Sequence, residues 1–114
     1  MSTFSTHVLD TTLGRPAAGM AVALERIDSS GNATIIGTAV TDSDGRARDV
    51  LPAGHVLTTG DYRLRFETGD YLERTGSEVF YPKVEVDFRV ARSGAHYHVP
   101  LLLSPFGYST YRGS

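Results

Sequence analysis

The chain of 114 residues contains no cysteine. Disulfide staples and thiolate chemistry are therefore excluded, and the fold must rest on a buried apolar core. No apolar run reaches the roughly 18 residues of a membrane helix. Basic clusters are missing as well. Eleven Lys and Arg are interleaved with 13 Asp and Glu for a net charge of −2, which argues against nucleic acid and anionic membranes as partners. The start lacks the basic and apolar segments of a secretory signal, and the end is not a Ser-Lys-Leu peroxisomal tripeptide. The default expectation is a cytoplasmic protein. Also missing are a Gly-x-Ser-x-Gly elbow, a Ser-x-x-Lys pair and a phosphate-cradling glycine loop, so a covalent serine mechanism has no local support.

What is present has ordinary globular composition, 40% hydrophobic and 21% charged, and a length that fits one domain over residues 1–114. Glycine and proline separate short β-rich runs, the spacing of a β-sandwich or barrel. Residues 3–10 read as a first strand with Phe4, Thr6 and Val8 on one face and Ser5, His7 and Leu9 on the other. A loop at 14–19 leads to a strand at 20–27 with Val22 and Leu24 on one face. A hairpin turn at 28–32 and a partner strand at 33–41 follow, then a tight turn at 42–45 in which Gly45 supplies positive φ. Residues 51–60 read as a loop preceded by a weak strand.

Beyond that loop, residues 61–67 alternate cleanly, with Tyr62, Leu64 and Phe66 facing inward. The stretch 69–76 breaks the β pattern: Asp70 and Glu73 resemble a capping box and Gly76 a helix stop, so one or two helical turns are expected there. Tyr81-Pro82 is a break. Residues 83–92 alternate again, with Val84, Val86, Phe88 and Val90 inward, and strands follow at 95–103 and 106–111. The expectation is a mostly β protein, a two-sheet antiparallel sandwich of seven or eight strands with one short helix.

The end of the chain is unusually rich in large side chains: Phe106, Tyr108, Tyr111 and Arg112. Termini are ordinarily small, polar and frayed, so this one is expected to be docked. Arg112 offers a planar fork of donors, Gly113 allows close backbone approach, and Ser114 supplies a free α-carboxylate as the last residue. His96 and His98 stand two apart and share a strand face. A single strand histidine such as His7 is ordinarily solvated or hydrogen-bonded, and a turn-end arginine such as Arg46 is ordinarily at the surface. Together His7, His96 and His98 would have the spacing of a three-histidine zinc site, although no Asp or Glu follows on that strand to orient a ligand.

Three segments carry a family likeness that runs over the whole chain. They are Ser-Thr-His-Val-Leu-Asp at 5–10 with Gly-Arg-Pro-Ala-Ala-Gly at 14–19, Thr-Asp-Ser-Asp-Gly-Arg at 41–46, and residues 97–114, ending in Tyr-Arg-Gly-Ser. The sequence resembles the 5-hydroxyisourate hydrolases, the transthyretin-related enzymes of urate breakdown. The closing Tyr-Arg-Gly-Ser separates these from transthyretin proper, which lacks it. The resemblance implies a transthyretin-like sandwich, hydrolysis of a cyclic amide C–N bond without a cofactor, and a homotetramer. In that tetramer, two subunits pair edge strands and two such dimers face each other across the sites. It implies catalytic roles for His7, Arg46, His98 and Ser114, and substrate binding by Arg46, Tyr111, Arg112 and Gly113. His96 is outside that set.

Opening a strained ring amide requires a base for water and donors for the developing oxyanion. A neutral imidazole suits the first role, and Arg46 and Arg112 suit the second while disfavouring imidazolium. Two rivals stand beside this reading. One is a transthyretin-like carrier of a small apolar ligand or a β-sandwich interaction module, which has no need of converging His and Arg. The other is a zinc hydrolase using His7, His96 and His98.

Overall fold

The computed structural model describes residues 3–114. In chain order these form β1 (Thr3–Ser5), β2 (Val8–Asp10), β3 (Arg15–Pro16), β4 (Ala21–Ile27), β5 (Ala33–Val40), β6 (Gly60–Phe66), α1 (Thr68–Arg74), β7 (Val84–Val90), β8 (His96–His98), β9 (Leu101–Ser104) and β10 (Gly107–Thr110). One sheet runs β5-β4-β6-β7 and the other β10-β9-β2-β3, while β1 pairs with β8 as a separate ribbon. The expected sandwich and its single short helix are both there.

The alternating runs explain why the sheets face each other. Tyr62, Leu64 and Phe66 of β6, Val22 and Leu24 of β4 and Val84 and Val90 of β7 are all buried. They pack in one core with Val8, Leu101 and Leu103 from the opposite sheet. Central strand β4 is covered on its other face too, where buried Glu25 accepts from Arg65 at 2.9 Å. Across the outer face of β6 and β7, Arg63 pairs with Asp87 and Arg89 with Asp61, both at 2.7 Å. Exposed cross-strand pairs of this kind are worth no more than about 1 kcal/mol each, so they set register rather than stability.

Among the described residues the strands number ten rather than seven or eight, because two long runs each bend and because the stretch expected as a loop at 14–19 contributes the short β3, which pairs with β2 at Leu9–Pro16 and Asp10–Arg15. Residues 3–10 keep their alternation throughout, yet they divide at Thr6 and His7 between β1 and β2. There Thr6 Oγ1 donates to the Val99 carbonyl at 2.6 Å, and His7 turns aside to pair with Arg46. Residues 95–103 likewise divide at Val99 and Pro100, since proline has no N–H for a ladder. Both resulting pairings, β1 with β8 and β2 with β9, are parallel. The weak strand expected before residue 51 is reduced to the isolated His7–Arg46 bridge.

Helix α1 begins at Thr68, so Asp70 lies in its first turn and the Asp70–Glu73 capping box does not form. Its start is held instead by Thr68 Oγ1 donating to the Tyr81 carbonyl at 2.7 Å and Gly69 N–H donating to the Pro82 carbonyl at 2.8 Å. Its stop is the one expected. Gly76, at φ 78°, donates to the Glu73 carbonyl while Ser77 N–H donates to that of Leu72, the pattern of a Schellman cap. Tyr71 O–H donates to buried Asp10 at 2.7 Å and ties the helix to the end of β2. Burial, with the Asp10 carboxylate, pushes the Tyr71 hydroxyl up to about 12, so it remains a donor at any physiological pH.

Candidate active site

Three stretches far apart in sequence supply the site, and a local device positions each. The first is the β1–β2 bend, which turns His7 away from the core. Its Nε2 lies 2.6 Å from the Asp44 carbonyl. A carbonyl only accepts, so Nε2 carries the proton and the neutral ring keeps its lone pair on Nδ1.

The second is the turn at 42–45. The Asp42 carboxylate accepts the N–H groups of Asp44 at 2.9 Å and Arg46 at 3.0 Å. The Arg46 N–H, first among these donors, holds the carboxyl below the usual range. Gly45 takes φ 78°, as expected of it. A Cβ at Gly45 would stand 2.4 Å from the Val8 carbonyl, so the turn can seat against β2 only with glycine there. The outcome is that Arg46 pairs antiparallel with His7.

The third is β8 with the tail. His98 and Gly113 form an antiparallel bridge in which Gly113 N–H donates to the His98 carbonyl at 2.9 Å. The approach is close enough that a Cβ on Gly113 would lie 2.3 Å from His98 Cδ2. The expectation that the tail is docked is met by this contact. His98 Nδ1 lies 2.7 Å from Ser5 Oγ, and among the described residues its Nε2 has no protein partner. Burial pushes the His98 imidazole below its ordinary value; a hydrogen bond with the Ser5 backbone opposes this, and the charges of Arg46, His96 and His7 add to the lowering. It is therefore held neutral at physiological pH.

These stretches meet around an open depression of about 470 Å³. His7, Arg46 and His98 line it, with Tyr111, Gly113 and Ser114 from the tail and Ser5 and His96 from the β1–β8 ribbon. Arg112 stands apart. Alternation along the tail sends it to the opposite side, where its guanidinium lies 4.6 Å from the centre of the Tyr97 ring. There it borders a separate, more apolar cleft of about 250 Å³ between β7 and β10. Ser5 was not singled out by sequence reasoning. Its available signal was its position two residues before His7, on the same strand face.

The donors around His96 do not resemble a metal site. Its Nδ1 faces Thr3 Oγ1 and its Nε2 faces Ser5 Oγ. Among the described residues, no group of three His, Cys, Asp or Glu side chains is placed to hold a metal ion.

The architecture so far defines a two-sheet β-sandwich with a His–Arg cluster built where its first strand, one turn and its last residues converge. Residues 4–113 match the HIUase/Transthyretin family, and the chain belongs to that family. It is 48% identical to the 5-hydroxyisourate hydrolase of Mesorhizobium japonicum, across 96% of this chain and 90% of that protein. With the 5-hydroxyisourate hydrolase of Caulobacter vibrioides it shares 47% identity over 100% of both chains. Among solved structures, the 5-hydroxyisourate hydrolase of Klebsiella pneumoniae superposes with a TM-score of 0.85 at 38% identity, covering 100% of each chain. Sea bream transthyretin in complex with thyroxine superposes with a TM-score of 0.89 at 33% identity, over 96% of this chain and 93% of that one.

Proposed function

We propose that this chain, as one transthyretin-like domain over residues 1–114, is a cofactor-independent hydrolase that opens the strained ring amide of 5-hydroxyisourate in urate degradation. The observation that carries the reading is the convergence of His7, Arg46, His98 and the tail on one polar depression. The near-full-length likeness to proteins named for that reaction supports it.

In this scheme one neutral imidazole takes a proton from water as the water oxygen attacks the ring carbonyl. His98 offers Nε2 for that role and His7 offers Nδ1. Arg46 donates to the oxygen on which negative charge develops. The C–N bond then breaks, the proton is delivered to the leaving nitrogen, and the product is a ring-opened ureidoimidazoline acid. Tyr111 and Gly113 border the substrate, and Ser114 accepts hydrogen bonds beside the catalytic groups. We place Arg112 at the substrate through the assembly, a homotetramer of two facing dimers, because within one chain it lies on Tyr97 instead. Among the described residues no helix is long and apolar enough to cross a membrane, and the proposed location is the cytoplasm.

The test is direct. The purified protein is added to freshly generated 5-hydroxyisourate and the absorbance decay is followed, with and without chelator. Decay well above the spontaneous rate, unchanged by chelator, is expected. A rate equal to buffer from folded protein sinks the hydrolase reading. Activity lost to chelator and restored by zinc replaces it with the metal reading. The carrier reading has a weaker footing, because imidazoles, a guanidinium and hydroxyls line this depression.

The pH profile follows from the direction of the His98 shift. The base must be neutral, and its pKa lies below the ordinary 6.5. Turnover is therefore expected to fall towards acid pH with a midpoint below 6.5. A midpoint above 6.5 contradicts a depressed histidine as base.

A further inference from the structure

A chain of hydroxyls and imidazoles runs behind His98, and the scheme above leaves it unused. In the parallel β1–β8 ribbon, Thr3 stands opposite His96 and Ser5 opposite His98. Alternation turns these four side chains outward and buries Phe4 and Tyr97 between them. Ser5 Oγ lies 2.7 Å from His98 Nδ1 and 3.0 Å from His96 Nε2, while His96 Nδ1 faces Thr3 Oγ1. The two rings lie 6.4 Å apart and 15° from parallel, with one hydroxyl bridging them.

A hydroxyl has one proton, so Ser5 donates to one ring and accepts from the other. Only two orientations of the chain satisfy this. In one, His98 Nδ1–H donates to Ser5, Ser5 O–H to His96 Nε2, and His96 Nδ1–H to Thr3, which leaves His98 Nε2 bare. The reverse orientation protonates His98 Nε2 and disables it as a base. We propose that Ser5 is a positioning residue that holds His98 as the Nδ1–H tautomer, and that His96 receives the proton His98 releases through Ser5.

The step balances. As His98 Nε2 takes a proton from the attacking water, its Nδ1 proton moves to Ser5 Oγ and the Ser5 proton moves to His96 Nε2. The charge rests on His96, the more exposed ring, and the reverse shift returns the proton to His98 for the leaving nitrogen. The charged and titratable groups that line the depression with the pair are Arg46 and His7, with Tyr111 and the acceptor Ser114 from the tail. The proposal rests on the hydrolase reading, and its test separates the two.

The whole protein, labelled with nitrogen-15, is examined by two-bond proton–nitrogen correlation for the His98 tautomer, without substrate. The same samples are assayed on 5-hydroxyisourate across pH. In the wild type, Nδ1–H is expected. Ser5→Ala is expected to move His98 toward Nε2–H and to lower kcat about 10-fold at nearly constant KM, a part of the worth of a general base. Ser5→Thr is expected to restore both. His96→Phe is expected to lower kcat several-fold and leave KM alone. An active wild type with His98 protonated on Nε2, or a Ser5→Ala variant unchanged in tautomer and kcat, overturns the relay. An inactive wild type with His98 protonated on Nδ1 overturns the hydrolase reading instead.

Discussion

Replacing Gly113 by alanine is expected to lower turnover of 5-hydroxyisourate by about 10²-fold with the fold intact, because displacing a catalytic group by about 1 Å already costs that much. The new methyl group would stand 2.3 Å from His98 Cδ2, 3.1 Å from Cγ and 3.3 Å from Cβ. No small give at a flexible tip relieves this, since the clashing atom belongs to a ring whose Nδ1 is engaged by Ser5. Either the ring rotates and carries Nε2 with it, or the tail lifts and takes Tyr111 and Ser114 from the depression. The core is untouched in both cases, since its buried residues end at Leu103. Circular dichroism and thermal melting are expected to match the wild type while kcat falls. A variant that keeps full turnover shows that the tail does not pack on His98 during catalysis.

Removal of His98 itself is the second large effect. His98→Ala is expected to cost about 10²-fold or more in kcat, the scale of general base catalysis, and His7→Ala a similar amount. His96→Ala is expected to cost much less, because that ring meets the reaction only through Ser5. Steady-state rates of the three variants at pH 7.5 decide the matter. A severe His96→Ala beside a mild His98→Ala transfers the role of base to the neighbouring histidine.

Much of the sandwich was legible because period-two alternation survives wherever one face is buried. Tyr62-Leu64-Phe66 and the run from Val84 to Val90 showed it plainly, and both form strands with those residues facing the core. The bend at Thr6 and His7 was not legible, since the alternation passes through it without a fault. Only the partners reveal it, Val99 for one residue and Arg46 for the next. The helix start was misjudged for a related reason. A tertiary hydrogen bond from Thr68 to the Tyr81 carbonyl, invisible in the local pattern, does what a capping box would have done.

At the site, residue types and motifs pointed to His7, Arg46, His98 and the tail, and the depression contains them. They did not show that Arg112 turns toward Tyr97, although alternation from Gly113 implies opposite sides for neighbours. Nor did they show Ser5 between two histidines. That contact depends on a parallel pairing between the two ends of the chain, whose register no local signal encodes.

That pairing also governs when the site comes into being. Thr6 and its partner Val99 stand 93 residues apart. As the chain leaves the ribosome, β4, β5 and β6 find one another within a short span and β2 finds β3, whereas β1 and the β9 side of β2 must wait for nearly all of the rest. Closing so long a loop precedes any return from the contacts it allows, which places such steps late and slow. The histidines therefore face each other only once the least local step of folding is complete. In refolding from denaturant, turnover is expected to return after the far-ultraviolet signal of the β4–β7 sheet, so that catalysis serves as a clock for the closing of the chain's two ends.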